Sequence, residues 1–293
     1  MGTDWTGGRS GAIHGSQVIP DLRLGDWRET LADVKECGSV ITDPPFSPRT
    51  HRNMRSGSTV AEGGGSSISY GSIEKAQIFE MVANLWPKLS GFFVGFGDHI
   101  TAAWMIEAME DAGGGFVFPP VPWLKTNGPP RFSGDGPACA VEFIAIGRKR
   151  GKVRRRYRPG FYRGPIAGPR ERGPVGTKPL WLARAIVRHY SEPGDLILDP
   201  YCGSGSIILA AAIERRRGIG SEIDEPTHAA ALEKFRNQFN ADLFAGGVLG
   251  GKAEARKPEN QDLHFEGPRV AGESRAGGSA IGPRSSGQGV GQS

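Results

Sequence analysis

Apolar and polar positions along the chain follow two periods, near two and near 3.6 residues, and their alternation predicts its elements. Val18-Ile19-Pro20-Asp21-Leu22-Arg23-Leu24 alternates and ends at Gly25-Asp26, and a helix is expected over Trp27 to Val34. Gly38-Ser39-Val40-Ile41-Thr42 reads as a short buried strand. Asp43-Pro44-Pro45-Phe46 stops it, because two prolines cannot continue a hydrogen-bonded ladder. Glu74 to Trp86 has helical spacing through Ile78, Met81, Val82 and Leu85. A strand at Gly91 to Gly97, a helix at Ile100 to Ala112 and strands at Phe116 to Leu124 and Ala140 to Ile146 follow. Then come a helix at Pro179 to Tyr190, a strand at Leu196-Ile197-Leu198, a helix at Ser206 to Arg217, a strand at Gly218 to Ile223 and a helix at Pro226 to Phe239. Strands alternating with helices predict an α/β fold with a mostly parallel sheet and helices on both faces.

Three stretches lack either period. Residues 1–16 are polar and Gly-rich and are expected to be disordered. Residues 47–72, with Gly63-Gly64-Gly65-Ser66-Ser67, read as a long mobile loop. Residues 245–293 hold twelve glycines and almost no periodic apolar residues, so a disordered tail is expected. Composition agrees: 45 Gly and 22 Pro among 293 residues come close to a quarter of the chain, near the low-complexity range of roughly 25–30%. The folded part is then one domain, 17–244, with halves at 17–147 and 177–244 around a short basic region at 148–176. Three cysteines, Cys37, Cys139 and Cys202, are too few and odd in number for a disulfide framework. Without an apolar run long enough for a membrane span or a leader, a cytoplasmic location and no membrane partner are expected. The six histidines show no metal-ligand spacing, and no metal is implied.

Two constellations carry chemistry. Leu196-Ile197-Leu198-Asp199-Pro200-Tyr201-Cys202-Gly203-Ser204-Gly205-Ser206 is an apolar strand, a Gly-x-Gly turn and a helix start. Glycine lets a ligand approach the backbone, and the helix N-terminus offers N–H groups. Glu222 ends the next strand, where a carboxylate suits two ribose hydroxyls. Together these features point to a nucleoside-type cofactor, although a Gly-x-Gly alone is also a plain tight turn. The second constellation is Asp43-Pro44-Pro45-Phe46 at the C-terminal end of a strand. The prolines stiffen the turn. The Asp43 carboxylate and the Pro44 carbonyl then converge beside Phe46, which suits a planar ring bearing an amino group; the other reading is a strand-ending turn with a surface Asp.

Taken together, Asp43-Pro44-Pro45-Phe46 and Asp199-Pro200-Tyr201-Cys202-Gly203-Ser204-Gly205-Ser206 resemble the amino-group DNA methyltransferases that use S-adenosylmethionine (SAM). The catalytic tetrapeptide precedes the cofactor turn, as in the circularly permuted β-type of that family. Gly25-Asp26 resembles the acidic residue that meets the cofactor's adenine. Trp123-Leu124-Lys125-Thr126-Asn127 resembles the usual Trp-x-Lys-x-Asn segment, and Thr177-Lys178-Pro179-Leu180 the motif ahead of the cofactor strand. The likeness covers roughly Leu22 to Phe244. Ser206, Tyr201 and Cys202 stand where the family more often has Thr, Phe and Ala, and Cys202 reads as core packing rather than a nucleophile.

The resemblance implies a three-layer, Rossmann-like fold with one antiparallel strand. It implies SAM as cofactor, held by Asp26, Thr177, Lys178, Asp199, Tyr201, Cys202, Gly203, Gly205 and Glu222. Asp43, Pro44, Pro45 and Phe46 become the catalytic set, acting on adenine N6 in preference to cytosine N4, because position 43 is Asp rather than Ser. The partner is double-stranded DNA, with a homodimer and a cognate restriction endonuclease as further partners and a bacterial or phage origin. Arg148 to Arg172 holds eleven Lys and Arg and one acid, interleaved with Tyr157, Phe161 and Tyr162. It reads as a phosphate-facing surface with rings to stack, or else as a solvated loop. Lys125, Arg154, Arg155, Arg156, Tyr157 and Arg158 are the expected DNA contacts. The competing functions are methyl transfer to RNA or to a protein glutamine, and a DNA-binding relic without activity.

Overall fold

The computed structural model describes residues 13–14, 17–18, 20–56, 71–128, 137–151, 156–168, 171 and 176–246. Its elements are β1 (Ile13–His14), β2 (Gln17–Val18), β3 (Asp21–Leu24), α1 (Trp27–Thr30), β4 (Cys37–Thr42), α2 (Pro48–Ser56), α3 (Lys75–Leu85), β5 (Leu89–Gly97) and α4 (His99–Ala112). They continue with β6 (Gly115–Lys125), β7 (Val141–Lys149), β8 (Tyr162–Gly164), α5 (Leu180–Tyr190), β9 (Leu196–Asp199), α6 (Ser206–Ile213), β10 (Arg217–Glu222) and α7 (Glu225–Gly246). All fall within one unit, Met1–Gly247; Val248–Ser293, most of the expected Gly-rich tail, lies outside the described residues.

β4 carries apolar residues on both faces because both faces are covered. Val40 packs on one side with Phe93 and Leu198 under Leu31, Ile78, Met81, Leu85, Trp86 and Met105 from α3, α4 and the segment after α1. Its neighbour Ile41 points the other way and packs with Phe92, Val94 and Ile197 under Leu182, Ile186, Ile207 and Ala211 of α5 and α6. The sheet order is β3-β10-β9-β4-β5-β7-β6-β8. β7 runs antiparallel to β5 and β6, and every other pairing in this sheet is parallel. This is the mostly parallel, three-layer sheet with one antiparallel strand that the sequence predicts.

The sheet reverses its winding between β4 and β9. From β4 the chain moves through α3 to β5 on one face; from β9 it moves through α6 to β10 on the other. Ligands of open α/β sheets bind at such switch points, beyond the strand C-termini. Asp43 follows β4 and Asp199 ends β9, so both sequence constellations reach this crevice. In chain order the strand carrying Asp43 comes first, as the permuted arrangement requires.

The structure corrects several local expectations. Residues 48–56 are helix α2 rather than loop: Ser47 and Pro48 start it, with proline at the first helical position and His51 N donating to Ser47 O at 3.1 Å. The rest of that stretch, 57–70, lies outside the described residues. α1 stops at Thr30 instead of Val34, and α6 stops at Ile213 because Arg215 takes φ +62°. α7 runs on to Gly246, and β8 forms inside the basic stretch. Ile13–His14, inside the segment expected to be disordered, pairs antiparallel with Gln17–Val18 at the start of the expected domain.

Candidate active site

On the catalytic side, the parallel register brings Thr42 beside Gly95, and the antiparallel one brings Gly97 beside Phe143. The residues just beyond, Asp43, Asp98 and Glu142, therefore share one edge of the sheet. Asp98 N-caps α4, accepting from Ile100 N at 3.0 Å and Thr101 N at 2.7 Å. Its other oxygen accepts from Ser47 N at 3.2 Å, Ser47 Oγ at 2.6 Å and Thr50 Oγ1. A buried carboxylate thus ties the end of the Asp43–Phe46 turn to α4. Although burial pushes its pKa up, these hydrogen bonds hold Asp98 below the ordinary carboxylate range.

Asp43 faces a buried lysine. Lys178 Nζ lies 2.5 Å from Asp43 Oδ2, 3.3 Å from Glu142 Oε2 and 3.1 Å from the carbonyl oxygen of Gly176. Lys125 Nζ closes the group at 2.6 Å from Glu142 Oε1. Lys178 Nζ also stands 5.4 Å from the ring centroids of Phe46 and Phe96. Among the described residues the buried Asp43 Oδ1 meets no hydrogen-bond partner. Burial raises the Asp43 carboxyl to about 6, with Glu142 adding to the rise and Lys178 and Lys125 opposing it. Glu142 moves the other way: despite burial, the two lysines carry it below its ordinary value. Burial depresses Lys178, but the two carboxylates outweigh it and raise its pKa.

On the other side of the crevice, the Gly-x-Gly turn follows β9. Gly203 at φ +50° and Gly205 at φ +72° take left-handed conformations that an L side chain rarely adopts. A Cβ on Gly205 would meet the Phe235 ring at 2.8 Å, whereas one on Gly203 would stand in open space. Glu222 is locked to this turn: Oε2 accepts from Gly203 N and Oε1 from Asp224 N, each at 2.9 Å. Its carbonyl oxygen accepts from Gly25 N at 2.8 Å, which brings Asp26 to the same rim. Asp26 N-caps α1 through Arg28 N at 2.8 Å and pairs with the Arg28 guanidinium. Tyr201 OH accepts from Trp27 Nε1 at 3.2 Å. Asp199, wholly buried, accepts from Tyr201 N at 3.2 Å, and burial pushes its carboxyl up to about 8. Cys202 packs with Ile208, Leu209 and Phe235, and burial raises its thiol far above the ordinary value. An un-ionised, packed thiol is what core packing requires.

The structure therefore gathers Asp43–Phe46, Lys178 with its neighbour Thr177, Asp199–Gly205, Glu222 and Asp26 around one crevice. It does not gather the expected DNA contacts. Lys125 is held against Glu142 and over the Trp123 ring rather than facing solvent phosphate. Arg156 bonds Arg188 O and Glu192, and Arg158 donates to His189 O at 2.8 Å. Both serve the C-terminal end of α5, where unpaired carbonyls attract guanidinium groups. Lys178 lies just ahead of the other end of that eleven-residue helix, about 16 Å away along its axis. Tyr157 is 81% exposed beside them, and Arg154 and Arg155 lie outside the described residues. Glu142 had no assigned role from sequence; its signal was one acid inside the apolar run Val141 to Ile146. Among the described residues no cluster of ligating side chains could hold a metal, and no helix is long and apolar enough to cross a membrane.

Comparison with known proteins agrees with this arrangement. A family model described as DNA methylase, of the N6/N4 amino-methyltransferases, matches residues 168–233. A type II methyltransferase of Methanocaldococcus jannaschii is 32% identical over 178 residues, covering 50% of this chain and 57% of that protein. The chain spans about half the length, or less, of the curated relatives it matches. Among solved structures, the M1.HpyAVI–SAM complex superposes with a TM-score of 0.58 at 21% identity, covering 74% of this chain and 99% of that one. The cytosine-N4-specific PvuII DNA methyltransferase gives 0.55 at 19% identity, covering 76% and 92%. The fold is that of these Rossmann-like methyltransferases, and the resemblance to amino-methyltransferases read from the sequence stands.

Proposed function

We propose that the protein transfers a methyl group from SAM to the exocyclic amino group of a base flipped out of double-stranded DNA, adenine N6 in preference to cytosine N4. The observation that carries this reading is the meeting of both constellations at one switch point. β4 and β10 flank β9, so the Asp43 and Glu222 ends of the sheet lie two strand spacings apart, about 10 Å. The turn fits a nucleoside cofactor. Space is open beside Gly203, and each Glu222 oxygen keeps a lone pair for a ribose hydroxyl. Asp26 and Tyr201 lie on the same side.

When bound, SAM would supply an electrophilic methyl carbon on a sulfonium: the C–S bond breaks as the N–C bond forms, the sulfur leaves as a neutral thioether, and the surplus nitrogen proton passes to solvent. The chain's own residues align the acceptor. The Asp43 carboxylate and the Pro44 carbonyl accept the two amino hydrogens, drawing the nitrogen out of conjugation and offsetting the positive charge that develops on it. Pro44 and Pro45 keep these acceptors in place, and positioning removes much of the entropic barrier. Phe46 stacks on the flipped base, which returns about 1–3 kcal/mol against an extrusion cost of a few. Asp at position 43 is what favours adenine. DNA would be met from α2, which leaves the catalytic turn directly and carries exposed Arg49 and Arg52 three residues apart on one face.

The test is transfer from labelled SAM to unmethylated duplex DNA, with Asp43→Ala as control and the nucleosides separated by mass spectrometry. N6-methyladenine that disappears in the variant supports the proposal. N4-methylcytosine corrects the base. Transfer only to RNA or protein, or wild-type turnover in Asp43→Ala, overturns it.

A further inference from the structure

We infer that Lys178 is a positioning residue for Asp43: it binds one carboxylate oxygen and leaves the other for the substrate amino group, while Glu142 and Lys125 hold Lys178 itself in place. The inference rests on the role just proposed for Asp43. It replaces the cofactor contact that the resemblance assigns to Lys178.

The reasoning starts from donor arithmetic. An ammonium group has three N–H donors. Lys178 Nζ hydrogen-bonds Asp43 Oδ2 at 2.5 Å and the Gly176 carbonyl at 3.1 Å, and it ion-pairs with Glu142 Oε2 at 3.3 Å. Its head is held between Asp43, Glu142 and Gly176, and at 3% exposure it does not reach solvent. Asp43 keeps an acceptor to spare. Oδ2 is bound by Lys178, and among the described residues the buried Oδ1 meets no hydrogen-bond partner. A buried acceptor of that kind is satisfied when a ligand brings an N–H to it.

Charge points the same way. Four elements deliver charged or titratable groups to Asp43: Lys178 from the segment ahead of α5, Glu142 from β7, Lys125 from β6 and Asp199 from β9. Lys178, Lys125, Asp43 and Glu142 sum to zero, so the quartet tolerates burial. Without Lys178, two carboxylates would share one buried site with a single lysine, and one of them would take up a proton near neutrality. A protonated Asp43 is a poorer acceptor for an amino hydrogen. Removing Glu142 has the opposite sign: a negative neighbour goes while Lys178 stays, and Asp43 holds its charge to lower pH. Opposed shifts of this kind distinguish charge positioning from general damage to the site.

The experiment uses the full chain, labelled SAM and unmethylated duplex DNA at saturation between pH 5.5 and 9, with SAM affinity from calorimetry. Lys178→Met is expected to lose at least tenfold in kcat at pH 7, to recover towards pH 9 and to bind SAM within twofold of wild type. Its acid limb moves up by a pH unit or more, while that of Glu142→Gln moves down. An acid limb unchanged in both variants overturns the inference. So does a tenfold loss of SAM affinity with kcat retained in Lys178→Met, which would restore the cofactor role. A wild-type protein that binds SAM but methylates no DNA overturns the functional reading instead. A carboxyl carbon-13 NMR titration of Asp43, assigned with Asp43→Asn, then decides this point: a midpoint raised by Lys178→Met supports it, and an unmoved midpoint overturns it.

Discussion

Asp98→Ala should both destabilise the protein and loosen its catalytic turn. The carboxylate is 8% exposed and receives five donors: two backbone N–H groups of α4, and Ser47 N, Ser47 Oγ and Thr50 Oγ1 from the start of α2. Losing the α4 cap costs about 1 kcal/mol. The three donors at the α2 start lose a charged acceptor, and Ser47 is itself buried; leaving such donors unmet costs about 1–3 kcal/mol each. These losses overlap, so about 3–5 kcal/mol is expected, a large share of a typical stability of about 5–15 kcal/mol. Urea unfolding reads this as a fall in midpoint of about 1–2 M. Because the folded-state carboxyl pKa is depressed, Asp98 contributes stability above the ordinary Asp value near 4, and that contribution disappears as pH falls through the lower folded value. The difference between wild type and Asp98→Ala should therefore shrink in acid. In the methyl-transfer assay the variant, below its unfolding temperature, should keep SAM affinity and lose kcat. Midpoints within 0.3 M would refute the energetic reasoning, and a destabilised variant with full kcat would refute the tether to the turn.

Three further outcomes follow from the same geometry. Transfer should decline as pH falls through about 6, the value to which burial raises the Asp43 carboxyl, because the proton removes an acceptor; a rate flat from pH 8 to 5 would contradict it. Glu222→Ala should weaken SAM binding at least tenfold, since it removes the carboxylate that Gly203 N and Asp224 N aim into the crevice; calorimetry showing an unchanged Kd would remove its ribose role. Replacing Arg49 and Arg52 together by Ala should lower DNA affinity and reduce the salt slope by about 2, near 0.9 per lost phosphate contact, whereas Arg156→Ala should leave that slope unchanged.

The elements that sequence exposed are those whose residues signal locally. Two prolines after an apolar strand signal the Asp43 turn from sequence alone, and Gly203 and Gly205 mark left-handed positions that few other residues accept. α2 stayed hidden because Pro48 to Ser56 has no apolar stripe; its start is held by a buried carboxylate about fifty residues away. The quartet was hidden for a related reason. Lys125, Glu142 and Lys178 come from β6, β7 and the segment before α5, and only sheet order makes them neighbours. The basic stretch is harder to read, because counting charge says nothing about which pole of a sheet receives it. Arg156 and Arg158 are bound by the helix end that the chain happens to pass.

Two carboxyls, Asp43 and Asp199, stand at the ends of adjacent strands at the switch point. Asp199 is fully buried at the end of β9, and burial, reinforced by the nearby charges of Asp43 and Glu222, raises its carboxyl to about 8. Burial therefore favours the uncharged acid at Asp199 and keeps a further negative charge away from Asp43. A folded pKa above the unfolded one means that stability is greatest below about 4 and declines as pH rises towards 8. Asp199→Asn imitates the neutral acid in shape and removes that decline. At pH 7 the variant should be at least as stable as wild type, and between pH 7 and 9 its advantage should grow by about 1 kcal/mol, as the wild-type carboxyl is forced to ionise. Thermal unfolding across this range measures it. Parallel stability curves for the two proteins would mean that Asp199 is already charged, and that burial does not keep this charge out of the crevice.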